Sequence, residues 1–145
     1  MLIGKKELEE LIPHAGAMCL LEGVLSWNDA SISCVATSHT EKNNPLRARG
    51  RLHALCGVEY VSQTMAVHGR LAGGIERRPG AGYLVSLRDL ECQVDRLDAL
   101  DGELLIEAER LMGDDEQVIY RFKVSHDGSV LLSGRAAAVL AVGPA

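Results

Sequence analysis

The chain has 145 residues, 47% of them hydrophobic, which suits one domain with a real core and excludes both two full catalytic domains and a disordered polymer. Twenty Asp and Glu against fifteen Lys and Arg give a formal net charge of -5, and only 3% of residues are aromatic. A general nucleic-acid binder, which needs a basic excess, and a single-strand stacking platform are both disfavoured.

The opening residues Lys5–Leu11 predict a short helix, with Pro13 as its stop. Residues 18–27 and 30–38 predict two strands, joined at Asn28-Asp29 as a hairpin. Residues 39–54 predict a loop. From 57 to 71 the period changes. Val58, Val61, Met65 and Leu71 fall near helical spacing, widened by Ala66 and Val67, and few charges interrupt them. This predicts a helix buried on most sides. After a glycine-rich loop over 72–82, four strands are expected near 83–95, 103–112, 117–125 and 130–142, with turns at Asp101-Gly102, Gly113-Asp114-Asp115 and Asp127-Gly128. The last strand is mostly apolar and is expected to be central. A single long helix among antiparallel strands buries its surface when one curved sheet wraps it, an α+β arrangement whose free edge invites dimerisation.

No N-terminal signal peptide and no run long enough for a membrane span is read, so a cytoplasmic location is expected. The four cysteines, Cys19, Cys34, Cys56 and Cys92, are far apart and make no CxxC pair; buried free thiols are expected rather than a zinc site. No phosphate loop, dinucleotide fingerprint, HExxH or GxSxG motif is present.

Glu59 is the residue with the best chemical context. It stands in the first turn of the most apolar helix, where the helix dipole favours a carboxylate and burial opposes it. Gln63 is one turn later on the same face and could hydrogen-bond it. Gly57, at the helix start, could let a substrate approach the backbone and offer its amide to a carbonyl oxygen. His39, at the end of a predicted strand, and His53, in the approach loop, could each face the glutamate. His14 is expected to be a structural histidine, His68 to lie too far along the helix, and His126 to be exposed at a hairpin. Residues 41–80 carry seven bases and three acids, against the trend of the chain; such a block could attract an acidic partner locally.

Several segments in order carry a resemblance to a known family. They are Leu11-Ile12-Pro13-His14 followed by Met18-Cys19-Leu20-Leu21; Asn44-Pro45-Leu46-Arg47; Gly57-Val58-Glu59-Tyr60-Val61-Ser62-Gln63 and on through Gly69; Gly82-Tyr83-Leu84 with Arg88; and Gly134-Arg135-Ala136. The chain resembles the hotdog-fold 3-hydroxyacyl-ACP dehydratases, most closely those of aryl-polyene-type biosynthetic clusters. The resemblance implies a long central helix wrapped by an antiparallel sheet, and a dimer, either of this chain or with another hotdog subunit. It implies a substrate carried on the phosphopantetheine arm of acyl carrier protein, with no metal or redox cofactor. The reaction implied is loss of water from a 3-hydroxyacyl thioester to give the trans-2-enoyl product. Glu59 matches the family's catalytic acid, Gly57 the carbonyl-holding helix start, and Gln63 the glutamine one turn down. The family's Gly-His-Phe-Pro segment is replaced here by Arg49-Gly50-Arg51-Leu52-His53-Ala54, so the base is open between His39 and His53. Arg47, Arg49 and Arg51 are the candidates for carrier docking, with Arg77 and Arg78 secondary. The same fold hosts acyl thioesterases and non-catalytic partner subunits, which are the alternatives.

Overall fold

In a computed structural model of the chain, residues 1–12, 16–73, 82–114 and 116–140 are described. Two helices and seven strands are formed among them. Strand β1 (Ile3–Gly4) leads into helix α1 (Lys5–Leu11), which ends on Ile12, whose amide returns to the Leu8 carbonyl. Then come β2 (Gly23–Trp27), β3 (Ser31–Ala36), the long helix α2 (Gly57–Ala72), β4 (Gly82–Cys92), β5 (Leu104–Gly113), β6 (Gln117–His126) and β7 (Ser129–Leu140). The seven strands make one sheet in the order β1-β2-β3-β5-β6-β7-β4, every neighbouring pair antiparallel. Helix α2 packs against β3, β5 and β6 in the middle of it. This is the hotdog arrangement expected from the sequence.

The alternation of β6 shows how the pattern sets the faces. Val118, Tyr120, Phe122 and Val124 are buried, while Gln117, Arg121 and Lys123 are exposed. Opposite them on β5, Leu104, Ile106 and Ala108 point inward, and the outward pairs Glu107–Lys123 and Glu109–Arg121 are solvent-exposed bridges of little energetic weight. The tight turn between β6 and β7 uses Asp127 and Gly128 with φ of 48° and 82°, the left-handed pair that a two-residue hairpin requires.

Four expectations change. The strand placed over 18–27 is only β2; Gly16–Met18 forms a 3₁₀ turn instead. Strand β3 stops at Ala36, so His39 sits in a separate 3₁₀ turn, Ser38–Thr40, beyond the strand. Strand β7 has neighbours on both sides but is next to the edge, and β4 is the outermost strand. Of the cysteines, Cys19 and Cys34 are buried, Cys56 is half-buried, and Cys92 is exposed on β4. The last follows from topology: an edge strand has one flank and part of its faces open to water. Pro13, His14, Arg77 and Arg78 lie outside the described residues. No described helix is long and apolar enough to cross a membrane.

Candidate functional site

The site is built where the N-terminus of α2 meets the two loops that approach it. A 3₁₀ turn, Ala54–Cys56, runs straight into Gly57 and the helix. His53 caps that turn: its Nδ1 accepts the Leu55 amide at 3.1 Å. With Nδ1 accepting, a neutral His53 carries its proton on Nε2. The ring is exposed, and its basic lone pair is already spent on the backbone.

Gly57 is buried, and its amide turns back to the Ala54 and Leu55 carbonyls. A Cβ there would come 2.8 Å from Leu132 Cδ2. Its missing side chain therefore lets the helix approach the sheet. Glu59 is half-buried in the first turn of α2, the end where the helix dipole favours a carboxylate. Gln63, 1% exposed, is committed elsewhere: Oε1 accepts the Leu20 amide at 2.9 Å and Nε2 donates to the Met18 carbonyl at 2.8 Å. Both polar ends of this glutamine fasten the segment before β2 to the helix.

Beside Glu59, Tyr60 anchors a buried polar knot. Its hydroxyl lies 2.8 Å from Ser38 Oγ and accepts Asn44 Nδ2 at 3.0 Å. Ser38 Oγ donates to the Leu20 carbonyl, Asn44 Nδ2 also donates to the Ser38 carbonyl, and Asn44 Oδ1 accepts the Leu46 amide. The knot fixes the 3₁₀ turn that carries His39 onto the start of α2. Thus Glu59 and His39 are each the chain neighbour of a residue in one hydrogen-bonded pair.

His39 is fully buried. Its Nε2 lies 2.8 Å from the Leu100 carbonyl. A carbonyl can only accept, so Nε2 holds the proton, and Nδ1 presents a lone pair in the neutral ring. Nδ1 is buried and has no hydrogen-bond partner. Burial pushes the His39 pKa down, partly countered by the Leu100 carbonyl, with His126 and Arg47 pushing the same way as burial and Asp98 opposing. A buried imidazole held neutral, with one fixed donor and one unused acceptor, has the form of a general base.

The other histidines have different surroundings. His68 is buried between the Tyr120 hydroxyl at Nδ1 and the Asn28 carbonyl, 2.8 Å from Nε2, a structural role. His126, expected to be exposed, has a side chain only 15% accessible and donates to the Asp101 carbonyl. Among the arginines, Arg47 is half-buried and braces its own loop, donating to the Gly50 carbonyl at 3.0 Å and the His39 carbonyl at 3.2 Å. Arg49 and Arg51 are exposed on a two-residue turn closed by Ala48 and Arg51. No group of three or more His, Cys, Asp or Glu among the described residues could hold a metal ion.

The family model described as ApeP dehydratase, ApeP-like, matches residues 6–141. The chain belongs to the ApeP-like dehydratase family. Among solved structures, it is similar to the dehydratase heterocomplex ApeI:P from Xenorhabdus doucetiae, at 23% identity and a TM-score of 0.78, covering 92% of this chain and 90% of that one. It is also similar to a mutant thioesterase from Pseudomonas aeruginosa (13% identity, TM-score 0.64, 97% and 96% covered). A third is thioesterase superfamily member 2 of zebra fish (17% identity, TM-score 0.63, 94% and 95% covered). At these identities the likeness carries the fold, which the ApeP-like family shares with thioesterases. The chain has no match among curated proteins. Sequence reasoning singled out Glu59 and His39 but gave no role to Ser38, Asn44, Tyr60 and Leu100. Ser38 and Asn44 stand in a polar stretch, residues 37–44, where nothing in the local pattern separates them from their neighbours, while Tyr60 carries a polar tip within the apolar helix.

Proposed function

We propose that this ApeP-like chain removes water from a 3-hydroxyacyl thioester carried by acyl carrier protein, giving the trans-2-enoyl product. The observation that supports it most is the buried, unpartnered Nδ1 of His39, held by the Ser38–Tyr60 contact beside the helix turn that carries Glu59. In this reading His39 Nδ1 takes the proton from C2. The C2 electron pair forms the new double bond as the C3–O bond breaks, and Glu59 gives its proton to the departing hydroxyl, which leaves as water. Negative charge on the thioester oxygen is stabilised at the N-terminal end of α2 by the helix dipole. The Gly57 amide already donates within the preceding turn, so the dipole rather than that one amide is assigned this part. The phosphopantetheine arm delivers the substrate, and no other cofactor is called for.

Strand β4 supports the expectation of a second hotdog subunit, a copy of this chain or a different one. It is an eleven-residue edge strand with Leu84, Val85 and Leu87 exposed, and an unpaired edge with apolar side chains is a template for another strand. The solved ApeI:P dehydratase is itself a heterocomplex.

Mass spectrometry of carrier-bound product after incubation with a 3-hydroxyacyl-ACP tests the reading. Dehydrated product on the carrier supports it. Free acid would make the chain a thioesterase, and unchanged substrate, with or without a partner subunit, would make it a non-catalytic one.

A further inference from the structure

The segment between β4 and β5 folds back across the site and is fastened at several points. Leu97 N–H donates to the Leu52 carbonyl at 2.8 Å, and Leu52 N–H donates to Asp98 Oδ1 at 2.9 Å. Asp98 is also gripped by Arg96 through both carboxylate oxygens, and its side chain is only 4% exposed. The Leu100 amide closes a turn onto the Leu97 carbonyl at 3.1 Å. Two consecutive carbonyls then leave this turn toward two imidazoles: Leu100 toward His39 Nε2, and Asp101 toward His126 Nε2. Gly102, with φ of 93°, lets the chain leave the turn into β5.

We propose that Asp98 and His126 are positioning residues for His39, holding from either side the turn whose Leu100 carbonyl fixes the tautomer and aim of the His39 ring. The inference rests on His39 as the base, and it adds the parts that keep that base usable. A neutral imidazole has two tautomers, and only the one with hydrogen on Nε2 leaves the buried Nδ1 lone pair for a substrate proton. The carbonyl that selects it belongs to a loop, and loops move unless tied down. Asp98 ties the loop before Leu100, through a charge-assisted two-oxygen contact and a backbone amide. His126, reaching from the end of β6, ties it immediately after. Asp127, 3.7 Å from His126 Nε2, is the charged group beside that second tie. Neither Asp98 nor His126 exchanges a proton with substrate in this scheme.

Nitrogen-15 NMR of histidine-labelled protein reads the His39 tautomer directly, with His39→Asn assigning the resonance. The wild-type ring is expected in the single Nε2–H form. Asp98→Asn and His126→Phe are expected to shift it toward a mixture of tautomers and to lower kcat about tenfold or more, with KM nearly unchanged, since misaligning a reacting group costs rate before it costs affinity. His126→Gln keeps a donor for the Asp101 carbonyl and is expected to restore both readouts. If Asp98→Asn does not fold, the His126→Phe and His126→Gln pair decides alone. A single, unchanged Nε2–H signal in folded His126→Phe would overturn the proposal. Full dehydratase activity in His39→Asn would instead sink the base assignment, a separate failure that the tautomer signal distinguishes.

Discussion

Ser38 Oγ and Tyr60 OH lie 2.8 Å apart in the buried interior, twenty-two residues apart in the chain. One belongs to the turn carrying His39, the other to the helix turn carrying Glu59. The contact makes the relative placement of the two groups a matter of packing rather than of loop motion. Tyr60→Phe deletes the hydroxyl and leaves Ser38 and the Asn44 amide short of a buried partner, which costs about 1–3 kcal/mol. Urea denaturation should record that loss. The proposed dehydration should slow by more than the lost stability explains, measured well below the unfolding transition; an undiminished kcat would separate the knot from the chemistry.

Replacing His39 or Glu59 tests the proposed roles one at a time. Glu59→Gln and His39→Ala should each keep the fold and lower dehydration about a hundredfold or more, in the range of general acid–base contributions. His53→Ala should cost stability through its lost cap, about 1 kcal/mol, and leave kcat near wild type. Near wild-type turnover in His39→Ala together with a collapse in His53→Ala would exchange the two assignments.

The pH dependence has a definite sign. Burial lowers the pKa of both His39 and His68 in the folded chain. The unfolded chain therefore binds protons that the folded chain refuses, and stability falls as pH drops below the ordinary histidine value of about 6.5. Thermal unfolding followed from pH 8 to 5 should show Tm declining through that window. In His68→Gln the decline should be shallower. A base held neutral by burial should also keep the acidic limb of the kcat/KM profile below that same value.

Gly57→Ala places a methyl 2.8 Å from Leu132 Cδ2, a fully buried side chain. Overpacking of this kind costs about 1–3 kcal/mol, against which alanine's better helix propensity offsets up to about 1 kcal/mol. The variant should be less stable, and Leu132→Val should recover part of the loss when combined with it. Additive losses in the double variant would refute the close-approach account of this glycine.

The arginines separate by function. Arg47→Ala should lower Tm, because the carbonyls of His39 and Gly50 lose their donor. Arg49→Glu with Arg51→Glu should leave Tm within a degree or two. If these two exposed cations steer an acidic carrier, the pair should raise KM for acyl-ACP at low salt and change it little for a pantetheine thioester. Equal effects on the two substrates would remove the steering role.

The helix α2 and the four later strands were legible because their patterns are long: a 3.6 period interrupted by few charges, then period-two runs punctuated by turns rich in Asp and Gly. The residues 18–22 misled because an apolar run carries no period of its own; Leu20 and Leu21 are buried as a connection pinned by Gln63, not as a strand. The place of Glu59 in the first turn of a buried helix could be read from local context alone. The tie between His39 and Leu100 could not, since it joins residues sixty-one apart through a backbone carbonyl, an atom every residue possesses. Arg47 read like its neighbours Arg49 and Arg51 because charge spacing says nothing about which guanidinium the loop folds around.

Strand β4 carries one further consequence. Its pairing with β7 slips between Arg88 and Glu91, and Asp89 there adopts φ of 54°, with its carboxylate held by Arg135 across the strands. Such a bulge bends the outer rim of the sheet. A straight strand laid along it can zip against only the first part before the hydrogen-bond rungs fall out of step. The rim thus acts as a template with a built-in mismatch. A broken ladder of this kind works against indiscriminate strand addition, the route to fibres.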